Sequence, residues 1–468
     1  MKIWDESSIK KALNIEVPFN FNATGFEFNS KDIKPGFIFI ALKGENGDGH
    51  DYINSAFENG AVAAIVHKLP ERNREKCILV KDTKEALLTL ANFKRNNSRA
   101  KFIGITGSVG KTTTKEMAAL AFEAFGKVHK NRVNFNNDIG VPITLSQMPD
   151  DAEYAIIEMG MSAKNEILYL TKIVEPDVAI ITTIEPVHLE HFESISGITD
   201  AKSEIFHGTK SHRVGIINAD NAEFERMKSN AKKYEVENLL TFARDNSGNA
   251  KLLEAQVKDN TTYIKANIDN KEISYSINIP GEHHAMNTLP VLLAVHALNL
   301  DIEKAANKLT NIEAVVGRGQ LHELNYSGKK ITIIDESYNS NPAAVKAALK
   351  VMKMKYPHRR KIALLADMKE LGSTTIELHK DLLPNLESCV DKVGLVGEVI
   401  EHLFNVLPEN LKLSHYKTVE NLLESTLFEM LENNDVLLIK GSNSMKMSKI
   451  VAYFLAKNGK ENVVLSSH

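Results

Sequence analysis

Cysteine is nearly absent from this sequence: Cys77 and Cys389 are the two in 468 residues, far apart and in no C-x-x-C arrangement. That scarcity excludes a disulfide framework and a zinc ribbon, and it fits a reducing, cytoplasmic setting. No run of 18 apolar residues occurs, so no membrane-spanning helix is expected. Residues 1–15 carry charges throughout, so no signal peptide is expected either. Charge of one sign is not in excess: 57 Lys plus Arg stand against 60 Asp plus Glu, a net of −3. Without a basic field the chain is not expected to bind nucleic acid, and any anionic ligand must be held locally. Fixed-period repeats and low-complexity tracts are missing too, which sets aside solenoids and propellers.

What is present is the composition of a globular protein, 43% hydrophobic and 25% charged. The length exceeds what one hydrophobic core usually supports, and three domains are expected. Residues 1–98 show short strand candidates at 37–41 and 61–66 between Gly-, Asp- and Asn-rich loops. The polar run 94–99 marks a boundary. From 99 to 311, apolar strands at 155–157, 178–181 and 214–217 alternate with helical periodicity, the pattern of a mostly parallel sheet with crossover helices. The stretch 236–280 alternates in a way that predicts added antiparallel strands, and a helix follows over 286–298. From 312 to 468 a second series, with strands at 331–334, 362–365, 393–396 and 436–439, predicts an open Rossmann-like α/β domain. The fold class is therefore α/β in three domains: a small N-terminal one, a central phosphate-loop ATPase domain, and a C-terminal Rossmann-like one.

Residues 101–115 spell a strand, a glycine-rich loop and the start of a helix. In Thr106-Gly107-Ser108-Val109-Gly110-Lys111-Thr112-Thr113, glycines let backbone N–H groups turn onto a phosphate while the helix points its positive end at it. Lys111 adds a charge, and Thr112 offers a hydroxyl to Mg²⁺. The general G-x-x-x-x-G-K-[ST] spacing fails at Ile105, and the form is T-G-x-x-G-K-T. A plain strand-to-helix turn with a surface lysine would not need two glycines, a lysine and three threonines together. Glu158 and His188 each close an apolar strand at the sheet end where ligands of open α/β folds sit. Alone, such a Glu is a solvated turn residue and such a His a structural one; beside a phosphate loop they become metal-ligand candidates. Lys202 falls on an amphipathic helix, where the default is an exposed lysine. The loop 134–142, which includes Asn137, carries amides able to read a base or sugar, and a plain Asn/Gly/Pro turn accounts for it equally well.

Taken together, the T-G-x-x-G-K-T loop at 106–112, Glu158, His188, Lys202, residues 281–287, Gly317-Arg318 and residues 335–339 resemble the Mur ligase family over nearly the whole chain. Residues 136–142, 158–161, 188–190, 337–342 and 367–372 are most similar to the members that add D-alanyl-D-alanine to UDP-N-acetylmuramoyl-tripeptide. The D-N-P-R segment of members adding diaminopimelate or lysine is absent from the last third. The resemblance implies an ATP-dependent, amide-forming ligase that works through an acyl phosphate in peptidoglycan precursor synthesis, as a monomer. The alternatives are a Mur-type ligase adding a single amino acid and a nucleotide switch that performs no ligation.

Carried over, the resemblance implies that Lys111 and the loop amides hold the ATP phosphates, and that Thr112, Glu158, His188 and Lys202 serve two Mg²⁺. Lys202 would act as a CO₂-derived carbamate. Asn287 would contact adenine, Asp335 and Glu336 the ribose, and Arg318 the γ-phosphate; Asn137 would join the nucleotide pocket. Ser30, Lys31, Lys43 and Gly44 would hold the UDP end of the substrate, and Lys440 and Ser442 the dipeptide. The family's usual Asp-Ser-Arg is Asn29-Ser30-Lys31 here. His284 stands for Asn, Glu336 for the second Asp of Asp-Asp-Ser-Tyr-Asn, and Asn443 for Arg.

Overall fold

A computed structural model describes residues 2–44, 47–186, 190, 192, 194–207 and 213–458. Among these, three main sheets follow one another along the chain. The first has four parallel strands in the order Gly25–Glu27, Phe37–Ile40, Ala63–Val66 and Cys77–Leu79. The middle two are wholly buried apart from the edge of Phe37, as a parallel sheet covered on both faces requires. Helix Thr83–Asn97 then begins where Asp82 accepts hydrogen bonds from the N–H groups of Lys84 and Glu85. The polar run expected as a boundary forms the last turn of this helix, and its Lys94 and Arg95 are buried.

The central sheet has nine strands, in the order Val128–Lys130, Tyr154–Glu158, Lys101–Thr106, Val178–Ile181, Val214–Asn218, Asn238–Ala243, Ala250–Lys258, Thr261–Ile268 and Lys271–Ile277. All pairings are parallel as far as Ala250–Lys258, and the last two are antiparallel. The expected antiparallel region therefore starts one strand late. Helix Phe224–Lys233 makes Asn238–Ala243 the second strand of a crossover unit, which imposes parallel pairing. Glu158 pairs with Ile105 and Ile181 with Thr106, so three strands end at one level. The expected helix at 286–298 runs from Glu282 to Ala297.

The third sheet has six strands, in the order Gln320–Tyr326, Lys329–Glu336, Val436–Lys440, Lys361–Ala366, Lys392–Val396 and Lys412–Tyr416. Only the first is antiparallel to its neighbour. Glu336 pairs with Lys440, so this sheet too ends its inner strands side by side. No described helix is long and apolar enough to cross a membrane.

Candidate active site

The phosphate loop is shaped by what surrounds its glycines. Gly107 has φ +147°, and a Cβ there would lie 2.0 Å from Thr182 Oγ1. Gly110 has φ +84°, and its Cβ would lie 2.8 Å from Asn287 Oδ1. Both positions therefore exclude a side chain on steric and backbone grounds. Thr106 Oγ1 donates to Met159 O at 2.8 Å and Ser108 Oγ to Glu185 O at 3.0 Å, bracing the loop against the two flanking strand ends. Helix Lys111–Phe122 starts at Gly110 with no side-chain cap, which leaves its first N–H groups for a ligand. Lys111 Nζ donates to Gly107 O at 2.7 Å, holding its charge inside the loop. Burial lowers its pKa, with Glu158 opposing and Arg318 adding to the shift.

Glu158 is 3% exposed at the end of its strand, and Thr112, also 3% exposed, opens the helix beside it. Lys202 does not lie on an exposed helix face as the default reading had it; it is 1% exposed in helix Ile195–Ser203. Burial, with Lys111 nearby as the second cause, holds its amine well below the usual lysine range. A neutral, buried amine is a nucleophile, whereas an exposed ammonium is not. His188 lies outside the described residues.

The opposite wall comes from the third sheet and the segment leading into it. Arg318 stacks on the Tyr338 ring, 4.0 Å from guanidinium carbon to centroid. Its Nε is buried with no hydrogen-bond partner among the described residues. Glu336 Oε2 accepts from Lys440 Nζ at 3.2 Å, and Lys440 is 2% exposed. A cavity of about 470 Å³ brings Ser108–Thr113, Asn287, Arg318, Glu336 and Lys440 together, with the apolar side of helix Pro342–Lys355 closing it. Lys440 is thus in the same cavity as the loop. Ser442 Oγ, by contrast, accepts from the Lys369 N–H at 2.9 Å, away from that lining. Asp335 is 3% exposed and is engaged by Ser337, whose N–H and Oγ donate to it at 3.0 and 2.6 Å. His284 is buried beside His283, and burial holds its imidazole well below the usual histidine range.

The structure does not bring Asn137 to the cavity. Its Oδ1 accepts from Gly140 N at 2.8 Å and helps to start helix Gly140–Ser146. Its neighbour Asn136 reaches the site instead, Nδ2 donating to Glu158 Oε1 at 2.9 Å. Ser30 and Lys31 lie in the turn Ser30–Asp32, and Lys43 and Gly44 in a short strand antiparallel to Gly47–Asp48, with Ser30 buried and the other three exposed. Sequence reasoning missed Lys115, fully buried beside Glu158, and Asn131. The repeated lysine of Lys111-Thr112-Thr113-Thr114-Lys115 was the available signal for the first; nothing local marked the second.

A glycine loop at a helix start, faced across one cavity by an arginine, a carboxylate and a lysine from a second α/β sheet, defines a nucleotide-binding enzyme built to work between two bodies. Family models for the Mur ligase family catalytic domain, the Mur ligase middle domain and the Mur ligase glutamate ligase domain match residues 22–95, 105–295 and 317–443. The chain is 39% identical to the UDP-N-acetylmuramoyl-tripeptide–D-alanyl-D-alanine ligase of Rickettsia prowazekii, over 97% of this chain and 100% of that protein. It is 33% identical to the ligase of the same name from Bacillus subtilis, over 91% and 92%. The crystal structure of MurF from Acinetobacter baumannii superposes with a TM-score of 0.82 at 26% identity, over 97% of this chain and 99% of that one. The Thermotoga maritima MurF ligase in complex with ADP gives 0.77 at 26%, over 93% and 98%. The chain belongs to the Mur ligase family.

Proposed function

We propose that this chain is the ATP-dependent ligase that joins D-alanyl-D-alanine to UDP-N-acetylmuramoyl-tripeptide, acting as a monomer in the cytoplasm. The observation that carries the reading is the cavity shared by the phosphate loop, Arg318 and Lys440. The substrate assignment rests on the relatives named above. In this reading residues 1–98 hold the UDP end through Ser30, Lys31, Lys43 and Gly44. Residues 99–311 hold ATP, and residues 312–468 receive the dipeptide near Lys440 and Ser442.

The substrate's terminal carboxylate attacks the γ-phosphorus of ATP; a C–O–P link forms and the bond to ADP breaks. Two anions must meet for this, so charge neutralisation and alignment are the main tasks. Lys111 and the loop N–H groups take the phosphates, and Arg318 reaches the γ-phosphate from the opposite wall. Thr112 and Glu158 fit one Mg²⁺ as hard oxygen ligands, and His188 with modified Lys202 would serve a second. Bound there, Mg²⁺ would offset the charge on the phosphate oxygens. The neutral Lys202 amine adds to CO₂, forming an N–C bond and releasing one proton, which places an anion where a cation would repel metal. Asn287, leaning over Gly110, is set to contact adenine, and Glu336 with Asp335 to face the ribose. The dipeptide amine then attacks the acyl carbon, phosphate leaves, and the amine proton passes to solvent or phosphate. An acyl phosphate hydrolyses in open water, so the cavity must close around it.

An ADP-release assay over a panel of muramoyl peptides and amine acceptors tests the reading. Sustained release is expected to require both UDP-N-acetylmuramoyl-tripeptide and D-alanyl-D-alanine; sustained release with a single amino acid, or with neither, would sink it. Lys202→Ala should lower ligation at least a hundredfold, with partial recovery in small carboxylic acids. Full activity of that variant without additive would remove the carbamate.

A further inference from the structure

Glu27 is a carboxylate that the proposed mechanism does not use, and it is 1% exposed at the end of a strand of the first sheet. A buried charge of this kind is costly unless it is paired and hydrogen-bonded. Its Oε1 accepts from the N–H groups of Phe28 at 2.9 Å and Asn29 at 3.2 Å. Asn29 in turn caps the turn Ser30–Asp32, Oδ1 accepting from Lys31 N. The other oxygen, Oε2, accepts from Arg132 Nη2 at 2.7 Å, across to the loop beside the central sheet.

That loop is bound as tightly at its far end. Asn131 brackets the Glu158 backbone, its Oδ1 accepting from Glu158 N at 3.0 Å and its Nδ2 donating to Glu158 O at 2.8 Å. Lys115, fully buried, donates to Asn131 O at 2.9 Å and stands 3.9 Å from Glu158 Oε2. Asn136 takes Glu158 Oε1. The Arg132 guanidinium lies 3.9 Å over the Phe135 ring, and Phe135 meets Phe28 at 5.9 Å between centroids. The loop packs closely against two glycines. A Cβ on Gly140 would lie 2.4 Å from the Phe135 backbone, and one on Gly160 would lie 3.0 Å from the Asn136 amide. Hydrogen bonds thus join the Ser30–Asp32 turn through Glu27 to Arg132, and the chain of the same loop carries Asn131 and Asn136, which bond the backbone and the carboxylate of Glu158.

We propose that Glu27 and Arg132 are positioning residues that tie the nucleotide-sugar turn of the first sheet to Glu158, so that the uridine-nucleotide substrate and the magnesium nucleotide each tighten binding of the other. The inference rests on the proposed function for the identity of the two ligands. Coupling between sites is reciprocal, and factors of about 5 to 150 are typical. Two sites joined through a single ion pair and one loop belong at the low end, about fivefold.

The test is a binding cycle on the full chain by isothermal titration. Mg²⁺·ADP is titrated with and without UDP-N-acetylmuramoyl-tripeptide, and the tripeptide nucleotide with and without Mg²⁺·ADP. The native chain is expected to show the same factor, about fivefold, in both directions. Glu27→Gln, which keeps shape and loses charge, should bring it to about one while each ligand alone binds within about twofold of native. Arg132→Lys, which cannot span the same gap, should do the same. Lys84→Ala removes a different ion pair across the same junction, Lys84 to Asp138 at 2.6 Å, and should leave the factor intact. Thermal melts establish that each variant is folded. A native factor of one, or a factor that persists in both Glu27→Gln and Arg132→Lys, overturns the inference and leaves the proposed function standing. Failure of the native chain to bind the uridine nucleotide overturns both.

Discussion

The junction between the first and second sheets and that between the second and third are built differently. At the first junction the cores are shared: Ile143, Phe135 and Ile139 from beyond the phosphate loop pack into the same cluster as Trp4, Phe26 and Ile65. Trp4 Nε1 donates to Ser146 O at 2.7 Å, Lys94 Nζ to Asp150 at 2.6 Å, and Arg95 to the carbonyls of Val174 and Glu175 at 2.5 and 2.8 Å. At the second junction no core is shared among the described residues. The clusters of the third sheet hold only residues beyond 320, and those of the second stop before 315. The connecting segment exposes Val316 and carries Gly317 and Gly319 at φ +73° and +89°. A shared core moves as one body, whereas two separate cores joined by a glycine-bearing segment can open and close. The candidate site is divided accordingly: Glu158 and the phosphate loop lie on the side of the shared core, and Arg318 lies between the two glycines of the connecting segment.

The contrast is sharpened most by Arg318→Ala. ADP release should fall about a thousandfold, because a cation offered to the transferring phosphate is lost. Affinity for the uridine nucleotide, measured by titration, should stay within about twofold. An equal loss of that affinity would show that the two junctions are not separable. Next in size is Trp4→Ala at the shared core. Truncating a buried Trp typically costs about 3 to 5 kcal/mol. Denaturant unfolding should show the first and second sheets losing stability together. An unfolding step of the first sheet alone in the native chain would break the comparison.

Much of this was legible in the sequence because it rests on local chemistry. Short apolar strands between polar loops located all three sheets, and the T-G-x-x-G-K-T loop located the ligand end of the second. Relations between distant segments were not legible. The run 94–99 has the composition of a linker, yet Lys94 and Arg95 are buried because their heads reach partners some 50 to 80 residues away in sequence. Lys202 has the spacing of a surface residue, and only packing against the strands shows it buried. Asn136 and Asn137 are adjacent and chemically identical; backbone direction alone sends one to Glu158 and the other to a helix start. Tertiary position decides such cases, and periodicity carries no record of it.

The smallest expected effect lies at the rim of the second junction. Lys355, at the end of helix Pro342–Lys355, donates to Asn260 in the turn between the strands Ala250–Lys258 and Thr261–Ile268. Burial pushes its amine down to about 8, against the opposing pull of Glu323 and Asp259; the Tyr356 phenol beside it is raised by its own burial. An undocked lysine keeps its ordinary value of about 10.5, so between about 8 and 10.5 the undocked form holds the proton that the docked form has shed. Docking therefore strengthens as pH rises through 8, and below 8 both forms are charged and the full cost of burying the charge remains. Small-angle scattering of the ligand-free chain should show a slightly smaller radius of gyration at pH 9 than at pH 7. Lys355→Gln keeps a donor to Asn260 and removes the titration, so its radius should not change over that range. A native radius that grows between pH 7 and pH 9 would reverse the sign, and would mean that the charged amine, not the buried neutral one, holds the third sheet to the second.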